Sequence, residues 1–399
     1  MANKRRGHGD GAVDQRGPDV WRVRYRVAGR RFAKTIRGTR REAQQELRRL
    51  LRTADTGSHV APDKVTLGDW VTTWLNMGAP GRKRQEVGRR SLVRYRQLLA
   101  HVVAALGHRP LQQLRAAEID AFYVGLAGKG LAKQTIHHVH TVLGSALHAA
   151  TVGDSKILTV SPMGDLLKKP SPGEADHGIA LDPEQTRRLV QGFVGHPLYL
   201  LIVMALSTGA RRNELLALEW RDLDPVAKTL TIKRALERVN GRSGMKDPKT
   251  RRGTRVISLE ADLVALLLAE KERHLRIEAG VPDGVAVDLG LINLPEGALI
   301  FPGSPTEGFD FTTPRNPNTV TNTFLKVVRR LGFPKVRFHD LRGTAITRML
   351  SAGVPPHVVA KRHGHDPAIM LRAYAKALPQ DDAAAAQIMG EELKGVLHK

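Results

Sequence analysis

Two polar segments divide this sequence into three stretches, each long enough to form a hydrophobic core of its own. Residues 53–64 contain Gly57, Ser58 and Pro62, and residues 161–178 contain three prolines and a pair of lysines. Such compositions are typical of linkers between folded parts. The 399-residue chain is therefore expected to have three domains, at residues 1–60, 65–160 and 179–399, with residues 161–178 as an interdomain linker.

The charge of the chain is strongly one-sided. Lys and Arg number 63 against 39 Asp and Glu, which gives a net charge of +24. Such a surplus favours a polyanionic partner, nucleic acid above all, with an acidic membrane surface as the rival. No apolar run approaches the ~20 residues that a bilayer span needs, and no secretion signal is expected at the N-terminus. The sequence has no cysteine, so a cytoplasmic location is the default expectation.

The first 60 residues carry a large part of that charge, with 16 Lys and Arg against 6 Asp and Glu. Residues 20–27 alternate apolar or aromatic side chains with arginine, which predicts a strand with one apolar and one cationic face. Residues 31–37 are expected to return as a second strand, and Thr39 to cap a helix that runs to about residue 53. The alternative is a solvated arginine face on a small fold. We expect DNA contacts from five side chains on these two strands: Arg22, Arg24, Arg26, Arg31 and Lys34.

Residues 65–160 are predicted to be all-helical, with helices beginning at residue 66 and at 91–106, 116–126 and 132–150. A basic loop with candidate DNA contacts at Arg82, Lys83 and Arg84 joins the first two. A helical DNA-binding domain and a plain helical bundle both fit this pattern. Three nearby histidines do not form a metal motif, because their helical spacing puts them on different faces: His137, His138 and His140.

The third stretch is predicted to be mixed, mostly helical. A buried helix at 198–206 precedes Arg211, which is expected at a helix N-terminus where backbone N–H groups suit a phosphate. Glu214, three residues on, is placed to brace its guanidinium. Residues 229–239 and 253–259 predict a hairpin whose long cationic turn carries Lys249. We also expect a surface insertion at 281–296 and helices at 319–331 and from 381 onwards.

Residues 338–378 hold the side chains that most directly indicate chemistry. His339 and Arg342 are three apart, so on a helix they share one face. An Arg fork and an imidazole together suit a phosphate that is held while a proton moves. Tyr374 offers a phenol oxygen that can attack phosphorus and divide one hard displacement into two easier ones. This combination predicts phosphoryl chemistry on DNA.

The ordered motifs resemble those of the tyrosine recombinases, in particular phage and integrative-element integrases. The resemblance rests on five elements in the family's order: Thr208–Leu215 (TGARRNEL), Pro248-Lys249-Thr250, His339-Asp340-Leu341-Arg342, Gly364-His365 and Tyr374. It covers nearly the whole chain, since residues 1–60 are similar to an arm-site-binding domain and the middle to a core-binding domain. A single motif is weak, and the ordered set is specific. The implied fold is mainly α with small β elements.

The resemblance implies roles for individual residues. Arg211 and Arg342 would hold the scissile phosphate, and Tyr374 would form a 3′-phosphotyrosyl bond. Lys249 would protonate the leaving 5′ oxygen, and His339 would act as acid and base for the tyrosine. Two further roles are implied: a hydrogen bond from His365 to the phosphate, and bracing of the arginines by Glu214. No cofactor, metal or ATP is implied.

The sequence departs from the family pattern at two positions. His363 stands before Gly364, where an apolar residue, most often Leu, is usual, and this would put an extra imidazole near the site or on the surface. Gly343 follows Arg342, where a bulkier residue is common. Neither change removes a predicted catalytic group.

The resulting hypothesis is a site-specific recombinase that integrates or excises a mobile element. Its implied partners are double-stranded DNA at core and arm attachment sites, three further copies of the chain in a homotetramer, and an accessory DNA-bending or directionality protein. Two alternatives remain open. A type IB topoisomerase shares the chemistry, and a catalytically inactive DNA-binding regulator would share the fold.

Overall fold

The chain forms two compact units, Met1–Ala175 and Asp176–Lys399. The structure, a computed structural model, describes residues 11–27, 29–55, 60–61, 63–81, 86–153, 156–164, 167–173, 178–239, 241–246, 253–303, 310–368 and 370. Within these ranges no helix combines the length and the apolar character that a membrane crossing requires. The elements follow the predicted class, mainly helices with small antiparallel sheets.

A three-stranded antiparallel sheet and one helix open the first unit. Its elements are β1 (Ala12–Gly17), β2 (Val20–Val27), β3 (Arg30–Arg37) and α1 (Arg40–Asp55). The predicted alternation on β2 is confirmed, because Val23 and Tyr25 are buried. The arginines that alternate with them are exposed, namely Arg22, Arg24 and Arg26. Thr39 caps α1 as predicted, its hydroxyl accepting from the Glu42 amide at 3.3 Å. The strand β1 was not predicted, since its six residues contain only two apolar side chains, which is too few for a period-two signal.

Four helices make the second part of this unit, close to the predicted bounds. They are α2 (Leu67–Asn76), α3 (Arg89–Leu106), α4 (Ala116–Gly128) and α5 (Lys133–Ala149). Trp70 and Trp74 are buried between them, and the Trp70 indole N–H donates to the Ala146 carbonyl at 2.8 Å. That bond fixes α2 against α5, because an indole N–H has to find an acceptor when it is buried.

The second unit surrounds a larger core with helices and two small sheets. Its elements are α6 (Pro183–Gln191), α7 (Tyr199–Thr208), α8 (Arg212–Leu215), β4 (Leu223–Asp224), β5 (Thr229–Ile232), β6 (Ala235–Val239), β7 (Arg242–Lys246), β8 (Arg255–Ser258), α9 (Ala261–Glu278), α10 (Pro317–Arg330), α11 (Phe338–Ser351) and α12 (Pro356–His363). One sheet has the order β4-β5-β8, and β6 and β7 form a separate pair. The predicted insertion at 281–296 is mostly exposed and contains one short 3-10 turn, Leu289–Leu291.

The predicted single hairpin between residues 229–239 and 253–259 is two pairings. β5 pairs with β8, with Leu230 opposite Ile257, while β6 turns back at once onto β7. The turn between β6 and β7 contains Gly241 at φ 82°, in a sequence that reads Asn-Gly. Asn-Gly is the strongest short-range hairpin signal. It places a tight hairpin inside residues 240–252, which their polar composition had led us to predict as one long turn.

An aromatic stack joins α10 to the start of α11. Phe324 is fully buried, its ring stacked 5.7 Å from Phe193 and edge-on at 5.4 Å from Phe338. Phe338 is the first residue of α11 and precedes His339. The stack therefore fixes the helix end from which the predicted catalytic side chains project.

We expect Phe324→Ala to lower the free energy of unfolding by about 3–5 kcal/mol, because it removes a buried ring and leaves a cavity. Urea unfolding of the full chain measures this. Val226→Ala is the control, since Val226 is 93% exposed and its loss should change stability by less than ~0.5 kcal/mol. Equal unfolding midpoints for the two variants would contradict the assigned stack.

Candidate active site

Arg342 lies on α11, one turn after His339, as the three-residue spacing predicted. Its side chain is almost completely buried. One amino group, Nη1, donates to the Gly209 carbonyl at 2.6 Å, and the other, Nη2, donates to the His363 carbonyl at 2.6 Å. Gly209 follows the last residue of α7, and His363 is the last residue of α12. Carbonyls at helix C-termini lack intrahelical partners and carry partial negative charge, so they suit a buried cation.

The N-terminus of α11 is fixed by a local ion pair. The buried Asp340 carboxylate accepts from the Arg337 amide at 2.8 Å and from its guanidinium at 2.9 Å. Thr344 then donates to the Asp340 carbonyl at 2.9 Å and accepts from the Leu181 amide at 3.0 Å. Asp340, the second residue of the His-Asp-Leu-Arg motif, therefore sets the position of the helix that carries His339 and Arg342.

Arg211 is the residue preceding α8, and Glu214 braces it as predicted. The Glu214 carboxylate accepts from Arg211 Nη1 at 2.8 Å and from the Arg211 amide at 2.9 Å. One backbone N–H at this helix start is already bonded, since the Glu214 carboxylate accepts from the Arg211 amide, and α8 is only one turn long. The Arg211 side chain is 42% exposed, against 9% for Glu214, so its guanidinium borders solvent.

Arg255 on β8 is a residue of this cluster that the sequence analysis missed. Its guanidinium is buried and pairs with the same Glu214 carboxylate, Nη2 to Oε2 at 2.8 Å. Burial acts to raise the pKa of Glu214, but hydrogen bonds and charges from Arg255 and Arg211 outweigh it and lower that pKa to about 2. The predicted bracing by Glu214 is confirmed for Arg211 and also includes Arg255, while Arg342 donates to two helix-end carbonyls.

The alternation on β8 concealed Arg255. A period-two reading of Arg-Val-Ile-Ser would place the valine inside, yet Val256 is 63% exposed and Arg255 and Ile257 point inward. The register with β5 sets Leu230 opposite Ile257, and this pairing determines that Arg255 and Ile257 are on the buried face of β8. No local sequence signal could have identified this arginine.

Both predicted histidines lie close to the arginines. Burial, followed by the charges of Arg342 and Arg211, lowers the pKa of His365 from 6.5 to about 4. Burial and the Arg342 charge also lower the pKa of His339. His365 Nδ1 is buried and has no hydrogen-bond partner within the described part of the chain. The arginine charges act on the pKa of both histidines, so four predicted groups lie near one another: Arg211, His339, Arg342 and His365.

Of the two predicted places for His363, near the site or on the surface, the structure shows the first, since its carbonyl accepts from Arg342. His363 is fully buried, its Nδ1 bonds the Val359 carbonyl at 2.8 Å, and its ring packs against Gly209. Gly209 adopts φ 59°, and a Cβ there would lie 2.1 Å from His363 Nε2, so the close approach requires glycine. Burial lowers the pKa of His363 to about 3, which leaves the ring neutral. At the other departure, Gly343, a Cβ would meet no atom within 4 Å.

Several predicted site residues lie outside the described residues. These are Lys249, Tyr374, Arg82, Lys83 and Arg84. The chain is described up to Lys246, before Lys249, and again from Gly253, after it. Lys246, another lysine close to Lys249 in the sequence, pairs with Glu237 at 3.0 Å.

The basic side chains of the N-terminal sheet lie on two different faces. Arg22, Arg24 and Arg26 share the exposed face of β2, and Arg31 lies directly opposite Arg26 on β3. Lys34 is opposite the buried Val23, so it is on the helix-covered face, where its ammonium binds Glu46 at 2.8 Å. The expected set of five is thus divided into four on the open face and one on the other.

The three histidines of α5 have separate partners, in line with their predicted separation on the helix. His137 bonds the Pro170 carbonyl, His138 bonds Gln134, and His140 bonds the Tyr123 hydroxyl.

The depressed pKa of His365 predicts a specific loss of stability in acid. The unfolded chain binds a proton near pH 6.5 and the folded chain only near pH 4, so this contribution is present above pH 6.5 and is lost as the pH falls toward 4. We expect His365→Asn to flatten the fall in thermal midpoint over this window, relative to the wild type. His357→Asn, at an exposed histidine, should leave the fall unchanged. A wild-type pH profile for His365→Asn would contradict the assignment.

The comparisons with known proteins agree with this geometry. Residues 180–381 match the phage integrase family. The chain is 23% identical to a tyrosine recombinase XerC-like protein of Caldanaerobacter subterraneus subsp. tengcongensis, over 94% of this chain and 97% of that protein. It is 26% identical to an integrase of Streptomyces ambofaciens, over 91% of this chain and 90% of that one.

A solved structure has the same fold. The Tn1549 transposon integrase, in complex with a circular intermediate DNA, superposes with a TM-score of 0.64 at 19% identity, over 82% of this chain and 99% of that one. The family match spans half of the sequence and contains all six predicted catalytic positions, from Arg211 to Tyr374. The chain therefore belongs to the phage integrase family, the tyrosine recombinases, as its ordered motifs indicated.

Proposed function

We propose that this chain is an integrase that cuts and rejoins DNA at attachment sites through a 3′-phosphotyrosyl intermediate. The observation that carries the proposal is the convergence of Arg211, His339, Arg342 and His365 in the second unit, where each histidine pKa responds to the arginine charges. Two guanidinium groups fixed from behind suit a tetrahedral anion, and neutral imidazoles beside them suit proton transfer.

In the proposed cleavage step, Arg211 and Arg342 hold the non-bridging oxygens of the scissile phosphate. Their donors stabilise the charge that accumulates on these oxygens in the transition state. The Tyr374 oxygen bonds phosphorus as the bond to the 5′ oxygen breaks. The phenol proton passes to His339. Because the pKa of His339 is lowered, its ring is unprotonated at neutral pH and can accept that proton. Neutral His365 donates an N–H to a phosphate oxygen.

The leaving 5′ oxygen needs a proton, and we assign its donor to Lys249. The competing lysine, Lys246, is engaged with Glu237 at 3.0 Å and 3.3 Å. This contact favours Lys249, three residues further along the sequence. Rejoining is the reverse reaction, in which the 5′ hydroxyl attacks the phosphotyrosyl ester and the tyrosine leaves.

The division of labour along the chain stays a proposal built on the sequence. Residues 1–60 would bind arm sites, and residues 65–160 would bind core sites with help from Arg82, Lys83 and Arg84. Residues 161–178 would link them to residues 179–399, which would carry the chemistry.

The relatives support DNA as the partner, because the Tn1549 protein was solved on DNA. A lambda integrase dimer was solved bound to a core site, and its structure matches with a TM-score of 0.54 at 17% identity, over 91% of this chain and 94% of that one. A homotetramer on DNA, an accessory DNA-bending or directionality protein and a cytoplasmic location complete the proposal.

Two other functions remain possible for a protein with these groups. A type IB topoisomerase would relax supercoiled DNA without paired target sites. An inactive regulator would bind DNA without forming an adduct. The integrase-like first 60 residues and the separate middle domain expected from the sequence argue against the topoisomerase, and the complete set of five motifs argues against the regulator.

The proposal predicts a covalent adduct on a suicide duplex nicked near the cleavage point, built from the attachment region beside the gene. The adduct should form with the wild type, and Tyr374→Phe should abolish it while leaving DNA affinity unchanged, because only the attacking oxygen is lost. Denaturing electrophoresis measures the adduct and a mobility-shift assay measures binding. Wild-type binding without an adduct would favour the regulator.

The two faces of the N-terminal sheet predict unequal contributions to DNA binding. Arg26→Ala should weaken binding and reduce the slope of log K against log salt by about 0.9, the value for one lost phosphate contact. Lys34→Ala, on the helix-covered face, is the matched control and should leave the slope unchanged. Titrations of duplex DNA at several salt concentrations give both slopes. Equal effects would show that the open arginine face is not the DNA-binding face.

A further inference from the structure

We propose that Arg255 is a positioning residue of this active site, acting on the catalytic arginine Arg211 through Glu214. The inference rests on the proposed function, since it concerns the same phosphate-binding groups. Arg255 stands on β8, outside the motifs that carry the family resemblance, and within the described residues its guanidinium bonds Glu214 and two backbone carbonyls.

The connection between Arg255 and Arg211 is a single shared carboxylate. Arg255 binds both oxygens of Glu214, with Nη2 to Oε2 at 2.8 Å and Nη1 to Oε1 at 3.4 Å. Oε1 also accepts from Arg211 Nη1 at 2.8 Å. Removing the Arg255 fork would free Glu214 to rotate, and the Arg211 guanidinium would lose its fixed direction.

Two backbone carbonyls hold Arg255 itself in place. Its Nε donates to the Arg362 carbonyl at 2.8 Å, and its Nη1 donates to the Gly253 carbonyl at 3.1 Å. Arg362 in return donates to the Ser258 carbonyl at 3.2 Å, at the other end of β8. β8 and α12 are therefore tied together from both sides.

These anchors are close in sequence to two other predicted catalytic groups. Gly253 is four residues after Lys249, and Arg362 is three residues before His365. Arg255 thus links the start of the described chain after Lys249, the segment before His365 and the brace of Arg211. A planar fork can make all of these bonds at once, whereas a lysine ammonium at the same position is a point charge that cannot span them.

The burial of Arg255 distinguishes this ion pair from the surface pairs of the chain. Its side chain is 4% exposed, and that of its partner Glu214 is 9% exposed. A buried carboxylate that loses its partner keeps an uncompensated charge, so it seeks its remaining cation, Arg211, in a new geometry. The displacement therefore falls on Arg211, whose side chain is 42% exposed and has to meet the substrate.

Single-turnover cleavage of the suicide duplex tests the inference through a double-mutant cycle. We expect Arg255→Lys to slow adduct formation by about 10- to 100-fold, the range found for partners that orient liganding groups. In an Arg211→Ala background, the same change should slow it by less than about 2-fold, because a residue that acts through Arg211 has nothing left to orient. DNA affinity and thermal midpoint are measured for each variant.

Arg234→Lys is the matched control. Arg234 is also a shielded arginine of the second unit, 14% exposed, and binds Asp222 at 2.5 Å and Glu219 at 3.0 Å. It should share any general loss of stability while keeping the wild-type cleavage rate. If Arg255→Lys does not fold, Glu214→Gln tests the same link from its other end and should give the same dependence on Arg211.

The outcomes separate this inference from the proposed function. Absence of an adduct with the wild type would overturn the function itself. A wild-type adduct with Arg255→Lys as fast as Arg234→Lys would overturn only the inference. An equal slowing by Arg255→Lys with and without Arg211 would also overturn it, because Arg255 would then act by another route.

Discussion

The active site depends on how Arg342 is held in the protein interior. A guanidinium cannot lose its charge, so its burial is tolerated only where acceptors replace water. Here the acceptors are the Gly209 and His363 carbonyls, each 2.6 Å away and each at a helix end. Arg342 is therefore held rigidly from two sides.

The same arrangement sets the electrostatics of the neighbouring groups. Arg211 and Arg255 share the Glu214 carboxylate, so these three groups have a surplus of one positive charge among the described residues. Burial, followed by the charges of Arg342 and Arg211, keeps His365 neutral, and burial followed by the Arg342 charge lowers the pKa of His339. A DNA phosphate would balance that surplus, and it would meet the cluster at Arg211, whose side chain is 42% exposed. Substrate binding and preorganisation thus follow from one feature, an excess of fixed cations.

The sequence predicted those parts of the fold that depend on local patterns. The period-two strand at 20–27, the capped helix after Thr39 and the three-residue spacing of His339 and Arg342 all appear as expected. What it missed depends on pairing over long distances. Arg255 points inward because β8 is in register with β5, and Lys34 faces α1 because it lies opposite Val23. Arg342 is supported by two backbone carbonyls. Every residue has a backbone carbonyl, so the amino-acid sequence does not indicate which of them will bind an arginine.

The most direct test of the central claim replaces one non-bridging oxygen of the scissile phosphate by a methyl group. A methylphosphonate is neutral, so it no longer needs two cations to stabilise it. On the normal phosphate, Arg211→Ala and Arg342→Ala should each slow single-turnover cleavage by about 10²–10³-fold, the cost of one transition-state donor. On the methylphosphonate, the account predicts that each variant cleaves at nearly the wild-type rate. An undiminished loss on the neutral substrate would contradict the claim that these two arginines act on the phosphate charge.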